Sequence, residues 1–348
     1  MERKQTAVLV AGSWGTALAR VLADNGHDVR LWTRNPEQAE EINEKRRNTR
    51  FLQDAVIPEG ITAFTEMRDV LAGAEMVLFV APSAAMREVA QNAASHLGRE
   101  TLVVHATKGF EAGTLKRMST VLAEELGRGE SEIVCLSGPS HAEEVIVRQP
   151  TTVVVASRNS ERAEAAQDYF MNDAYFRVYT NPDLIGVETS GAVKNIIALG
   201  AGLSDGLGFG DNAKAALVTR GLAEIARLGA AMGANPLTFA GLAGVGDLIA
   251  TCTSRHSRNW RAGSMLGQGV PLDEVLRRIG MVVEGVRTTK FAHELASRYG
   301  VEMPITDQLY AVLFEGKAPE QAVGDLMGRV RTHEIEEIAA ASREKWLK

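Results

Sequence analysis

Short apolar runs alternate with helical periodicity through the first half of this chain. Ala7-Val8-Leu9-Val10 reads as a buried strand, residues 15–25 as a helix closed by the stop signal Asn25-Gly26, and Val29-Arg30-Leu31-Trp32 as a second strand. The strand pattern returns at 76–80, 101–106, 133–136, 152–156 and 176–179, with helical patterns at 83–96 and 114–126 among them. Strands and helices in this alternation predict a mostly parallel sheet covered on both faces. After Thr180-Asn181-Pro182-Asp183 the texture changes, and from about residue 186 helical periodicity dominates, broken by glycine-rich loops at 206–210, 241–246 and 267–269. The expected organisation is an α/β N-terminal domain over 1–187 and an all-α C-terminal domain over 188–348, with 343–348 a charged tail free to fray.

One charge disturbs this pattern. Lys194 interrupts the apolar run Val193-Lys194-Asn195-Ile196-Ile197-Ala198-Leu199. On a helix its neighbours are Ser190, Gly191, Ile197 and Ala198, three of them small. A desolvated ammonium needs a partner or a shifted pKa. Either Lys194 snorkels to the surface from an ordinary core helix, or the small neighbours leave room for a ligand to be that partner.

The strand-to-helix turn Val10-Ala11-Gly12-Ser13-Trp14-Gly15 has the context of a dinucleotide-binding turn, where amides at a helix N-terminus receive a pyrophosphate. Gly12 can let backbone approach the phosphates and Gly15 can let helix pack on strand, but valine occupies position 10, where the fingerprint has its first glycine. The second strand ends Trp32-Thr33-Arg34-Asn35 without the carboxylate that would bind ribose hydroxyls. Arg34 is either an exposed strand-end arginine or the partner of a 2′-phosphate; the second reading favours NADP over NAD.

Two further strands deliver candidates at their carboxyl ends, where ligands of open α/β sheets bind: Thr107-Lys108-Gly109, otherwise a surface lysine, and Ser137-Gly138-Pro139-Ser140-His141, otherwise a helix cap. In the helical half, Gly244-Val245-Gly246-Asp247-Leu248 places a carboxylate at a helix start, where an N-cap role is sufficient explanation. The stretch from Thr251 to Trp260, with Arg255, Ser257, Arg258 and Asn259, is a candidate anion site or a solvated basic loop.

Composition narrows the function classes. Hydrophobic residues make up 45% and charged residues 24% of 348, enough for two cores. A formal net charge of −6 gives no basic footprint for nucleic acid. Two cysteines, Cys135 and Cys252, point to reduced thiols rather than a disulfide framework. Without a signal-peptide pattern or an uninterrupted apolar stretch of spanning length, a soluble cytoplasmic protein without membrane insertion is expected. The seven histidines are scattered and no H-E-x-x-H occurs, so no metal site is expected; nor is there a P-loop or a serine-nucleophile elbow.

Taken together, the segments resemble the bacterial NAD(P)-dependent glycerol-3-phosphate dehydrogenases along nearly the whole chain. The resemblance rests on Ala11-Gly12-Ser13-Trp14-Gly15-Thr16-Ala17-Leu18-Ala19, Ala106-Thr107-Lys108-Gly109, Ser137-Gly138-Pro139-Ser140 and Gly191-Ala192-Val193-Lys194-Asn195. It continues through Thr219-Arg220-Gly221-Leu222-Ala223-Glu224, Ala243-Gly244-Val245-Gly246-Asp247-Leu248, Ser257-Arg258-Asn259, Val282-Val283-Glu284-Gly285 and Val301-Glu302-Met303-Pro304-Ile305-Thr306. It implies a Rossmann-type N-terminal domain, a helical C-terminal domain of 6-phosphogluconate dehydrogenase-like architecture, and an active site between them. It also implies reversible hydride transfer between NAD(P)H and dihydroxyacetone phosphate, with NADPH favoured in the synthetic direction, and a homodimer.

By the same resemblance Lys194 matches the catalytic lysine. Lys108, Gly138, Ser140, Lys194, Asp247, Ser257, Arg258 and Asn259 match substrate positions, to which Asn195 and Thr251 are added. Gly12, Ser13, Trp14, Gly15, Arg34, Lys108, Ala142, Arg258, Val282 and Glu284 fall on the cofactor side. The family has glycine where this chain has Val10, so weakened dinucleotide affinity is expected. Two rivals remain: a ketopantoate or β-hydroxyacid reductase, which needs no phosphate site at 257–259, and a nucleotide-binding sensor that has lost catalysis.

Overall fold

Successive side chains of a strand point to opposite faces of its sheet, and β1 (Gln5–Leu9) shows this directly: Val8 joins the apolar layer on one face, Ala7 and Leu9 the layer on the other. The computed structural model describes residues 3–331, so the tail expected at 343–348 lies outside the described residues. The chain divides into two units, Met1–Leu184 and Ile185–Lys348.

The first unit is an eight-stranded sheet. After β1 come β2 (Asp28–Trp32), β3 (Ile61–Phe64), β4 (Met76–Phe79), β5 (Leu102–His105), β6 (Ile133–Ser137), β7 (Thr151–Ala156) and β8 (Phe176–Asn181). Their order is β3-β2-β1-β4-β5-β6-β7-β8, parallel throughout except for the antiparallel pair β6–β7. The helices are α1 (Ser13–Asp24), α2 (Pro36–Lys45), α3 (Met67–Leu71), α4 (Met86–Ala94), α5 (Met118–Leu126), α6 (Ala142–Val145) and α7 (Ser160–Phe170). The order runs outward in opposite directions from β1 and β4, so the crevice at their carboxyl ends is the topological switch point where such sheets bind ligands. It opens at Val10 and Val80.

Three elements depart from the sequence pattern for local reasons. The helix expected over 83–96 is a short 3₁₀ turn, Ser83–Ala85, followed by α4, because Pro82 sets the entry. The helix expected from 114 begins only at Met118: Phe110 and Arg117 pair as an isolated bridge and Leu115 turns left-handed at φ 60°. Helix α2, not assigned from the pattern, buries only Ala39 and Ile42, and is set by its ends, with the Asn35 side chain accepting from the amides of Glu37 and Gln38 and Pro36 at the first position.

The second unit has no strand among its described residues. Its helices are α8 (Leu184–Gly206), α9 (Asp211–Ala231), α10 (Asp247–Thr253), α11 (Arg258–Gly267), α12 (Leu272–Ile279), α13 (Glu284–Tyr299), α14 (Pro304–Phe314) and α15 (Pro319–Met327). Most of α8 is buried all round, as befits a central helix. Four glycines bring α8 and α11 into backbone contact. A Cβ at Gly202 or Gly206 would strike the carbonyl of Trp260 or Ser264; one at Gly263 or Gly267 would strike that of Leu199 or Leu203. This close crossing lays α11 against the C-terminal third of α8.

Glu224 on α9 is 3% exposed and caps α14 from outside. Its Oε1 accepts from the Ile305 amide at 2.6 Å, and its Oε2 from the amide and hydroxyl of Thr306, each at 3.2 Å. Burial pushes this carboxyl up from the usual 4.5 to about 7, against the opposing pull of those donors and of Arg227. The folded state therefore binds a proton that the unfolded chain has released between those two values. Stability is full below the lower one and lost as pH rises through the upper, by on the order of 3 kcal/mol at the linkage rate. Below about pH 6.5 His27, whose pKa burial lowers, contributes with the opposite sign. Relative to Glu224→Gln, the denaturant midpoint of the native chain should therefore fall between about pH 5 and 8 and level off above that; parallel curves would contradict this.

Candidate active site

The turn leaving β1 is held by backbone. The amides of Val10 and Ala11 both donate to the Trp32 carbonyl (3.1 and 3.0 Å), and that of Gly12 to the Val10 carbonyl (2.9 Å). Gly12 stands extended at the N-cap of α1, so the first-turn amides of Ser13, Trp14 and Gly15 need acceptors from outside the helix. The two glycines differ in role. A Cβ on Gly12 would meet nothing within 4 Å, whereas one on Gly15 would collide with the Val10 carbonyl. An open front, first-turn amides and the helix dipole together fit a pyrophosphate.

Val10 itself adopts φ 84°, the left-handed backbone for which glycine is suited, while its side chain packs on the core layer beneath. For an L-residue this costs roughly 1–2 kcal/mol, and more for a β-branched side chain. The fold accommodates the substitution under strain. Val10→Gly should tighten NADPH binding by up to about five- to thirtyfold, the range that this strain energy spans; equal dissociation constants for the two proteins would remove the idea.

The loops after β5 and β6 meet, with Lys108 Nζ donating to the Gly138 carbonyl at 3.2 Å and Ser140 Oγ to the same oxygen at 2.9 Å. Gly138 has φ 126° and would place a Cβ 3.0 Å from Val153 Cα, so only glycine fits. Ala142 opens α6 just beyond, and Arg34 stands exposed past the end of β2.

In the second unit Lys194 does not snorkel. It is 5% exposed, and its Nζ donates to Asp247 Oδ1 and, at 2.6 Å, to Thr251 Oγ1. Asp247 is 1% exposed, and Gly246 holds the N-cap position of α10, so the carboxylate is the lysine's counter-ion rather than a helix cap. The N-cap explanation of Asp247 is thereby corrected. Thr251 Oγ1 in turn donates to the Asp247 carbonyl at 2.6 Å, so one turn of α10 presents both partners. Neighbouring Cys252 is no rival nucleophile, since burial pushes its thiol up to about 12.

Ser257 is the N-cap of α11, its Oγ accepting from the Trp260 amide at 3.2 Å. Asn259 joins three helices: its Nδ2 donates to Asn195 Oδ1 (2.9 Å), and its Oδ1 accepts from the Gly285 amide (2.8 Å). A Cβ on Gly285 would lie 2.6 Å from the Asn195 carbonyl, so α13 starts directly against α8. The amide of Asn259 is thus engaged in holding the junction. Arg258, by contrast, is exposed, its Nη1 donating to the Val282 carbonyl at 3.1 Å, with Glu284 half-buried two residues on. Among the described residues no group of three His, Cys, Asp or Glu side chains is placed to hold a metal ion.

Family models described as the N-terminus and the C-terminus of NAD-dependent glycerol-3-phosphate dehydrogenase match residues 5–163 and 183–324. Glycerol-3-phosphate dehydrogenase [NAD(P)+] of Geobacillus thermodenitrificans is 61% identical over 331 residues, covering 95% of this chain and 96% of that one. The chain belongs to this family. The corresponding enzyme of Bacillus thuringiensis is 60% identical over 95% of this chain and 97% of its own. The crystal structure of glycerol-3-phosphate dehydrogenase from Coxiella burnetii superposes with a TM-score of 0.89 at 41% identity, covering 94% of this chain and 99% of that one.

Proposed function

We propose that this chain is an NAD(P)-dependent sn-glycerol-3-phosphate dehydrogenase that reduces dihydroxyacetone phosphate reversibly, supplying glycerol 3-phosphate for phospholipid synthesis, with Lys194 as its proton donor. The observation that carries the assignment of Lys194 is its buried cluster with Asp247 and Thr251. A ketone gains negative charge on oxygen as it is reduced, and a positioned ammonium in a dry site both stabilises that charge and supplies the proton. When bound, the reduced nicotinamide supplies the hydride to the carbonyl carbon. Lys194 gives its proton to the oxygen and is left neutral beside the Asp247 carboxylate, then recovers a proton from solvent. In the oxidative direction the neutral amine takes the alcohol proton. Asp247 and Thr251 hold Nζ in place throughout.

The remaining roles follow from chemistry and position. Arg258 pairs with the substrate phosphate, for which a guanidinium fork is suited; Ser257 and Asn259 set that arginine at the start of α11. Lys108, Gly138 and Ser140 bind the polar end of the substrate. Gly12, Ser13, Trp14 and Gly15 receive the cofactor pyrophosphate, and Arg34 its 2′-phosphate, which favours NADPH in synthesis; Ala142, Val282 and Glu284 complete the cofactor contacts. The protein is read as a cytoplasmic homodimer; no helix among the described residues is long and apolar enough to cross a membrane.

Steady-state kinetics test this reading. NADPH oxidation should depend on dihydroxyacetone phosphate and run with a higher kcat/KM than with NADH. A preference for ketopantoate or another unphosphorylated keto acid would overturn the substrate assignment, and inertness toward every carbonyl in such a panel would favour a sensor.

A further inference from the structure

The segment between α2 and β3 contains a buried asparagine that no part of the reaction uses. Asn48 is 1% exposed although it stands in the polar stretch Lys45-Arg46-Arg47-Asn48-Thr49-Arg50. Its Nδ2 donates to the Ala11 carbonyl at 3.0 Å and to Thr16 Oγ1 at 2.9 Å, and its Oδ1 accepts from Gln38 Nε2 at 3.0 Å. Gln38 donates to the same Ala11 carbonyl at 2.7 Å, and its Oε1 accepts from Thr33 Oγ1 at 2.5 Å. A second tie comes from the same segment: Ser13 Oγ donates to the Phe51 carbonyl at 3.1 Å. One carbonyl of the turn is therefore gripped by two side-chain amides, one from α2 and one from the segment that follows it.

The grip has a physical task. The Ala11 carbonyl belongs to the peptide plane that carries the Gly12 amide, and it follows directly on Val10 with its left-handed backbone. Left to itself, a β-branched residue would relax out of that region and carry the start of α1 with it. Fixing the Ala11 carbonyl from the far side resists that relaxation and keeps the first-turn amides aimed outward. The chain through Thr33 also ties this turn to the strand end that presents Arg34.

We propose that Asn48, seconded by Gln38, is a positioning residue for the dinucleotide: it holds the strained turn at Val10 in the conformation that binds pyrophosphate and couples that turn to the 2′-phosphate side. The inference rests on the reading that the turn at Gly12 holds the cofactor. Asn48→Ala should raise the NADPH dissociation constant about tenfold, a change typical of losing well-made buried hydrogen bonds. With saturating cofactor, kcat and the KM for dihydroxyacetone phosphate should stay within about twofold, since Lys194 lies in the other unit. Asn48→Asp should bind more weakly still, because a carboxylate cannot donate to the Ala11 carbonyl and adds negative charge beside an anion site. In a Val10→Gly background, where the strain is gone, the Asn48→Ala penalty should shrink to about threefold or less.

Should Asn48→Ala fail to fold, Gln38→Ala carries the same test, with an expected rise of about fivefold. A dissociation constant within twofold of native in the folded variant overturns the proposal, as does a penalty unchanged by Val10→Gly, which would mean a merely structural role. Gly12→Ala run alongside separates the two levels. If it also binds NADPH normally, the cofactor assignment itself has failed; if it alone loses binding, only the clasp has.

Discussion

Replacing Lys194 with alanine is expected to lower kcat by about a thousandfold or more while NADPH still binds with its native affinity. General acid–base catalysis alone is worth roughly 100- to 10,000-fold, and stabilisation of the developing alkoxide adds to it. The variant also carries a cost in stability, because it leaves the Asp247 carboxylate, 1% exposed, without its counter-ion. Breaking one side of a buried pair typically costs about 3–5 kcal/mol. The decisive protein is therefore Lys194→Met combined with Asp247→Asn, which removes both charges and approximately preserves volume. It should fold, quench or enhance NADPH fluorescence as the native chain does, and show no dihydroxyacetone phosphate-dependent oxidation. Activity within tenfold of native in either folded variant would contradict the assigned role.

The lysine was legible because a charge in an apolar run has so few physical resolutions. Its partner was not. Asp247 lies 53 residues away, and a carboxylate at a helix start already has a sufficient local explanation as a cap. Only the fold shows that the cap position belongs to Gly246 and that the carboxylate meets the ammonium. The same limit hid Asn48: in a stretch with three arginines nothing local signals burial, since the two groups it donates to lie 32 and 37 residues back, after β1 and in α1. The Rossmann-type half was readable from buried strands and glycine turns, yet β3, four residues long, and α2, with two buried side chains, carried too little apolar pattern to be read. The α8–α11 crossing was hidden for a different reason. Gly202, Gly206, Gly263 and Gly267 are ordinary helix breakers in a local reading, and their purpose exists only when two backbones touch. Val10 shows the converse. It departs from the fingerprint in sequence, and the structure keeps the glycine-like backbone and places the cost in local strain.

The two glycines retained in that fingerprint allow the cofactor reading to be tested without confounding it with folding. Gly12→Ala is expected to weaken NADPH binding by on the order of a hundredfold while leaving the melting temperature within a degree or so of native. Its backbone, φ −78° and ψ −176°, suits any residue, and the added methyl meets no protein atom within 4 Å. The chain alone therefore has no reason to object. A pyrophosphate does, because the amides at the start of α1 must approach it at hydrogen-bond distance and a methyl group at this position holds it off. Gly15→Ala makes the opposite case: its Cβ would collide with the Val10 carbonyl, so it should destabilise the protein whether or not cofactor is present. Isothermal titration with NADPH and thermal melts on both variants read the difference. A Gly12→Ala protein that melts normally and binds NADPH normally would remove the dinucleotide from this turn, and with it the reason for Val10 to hold a glycine's backbone.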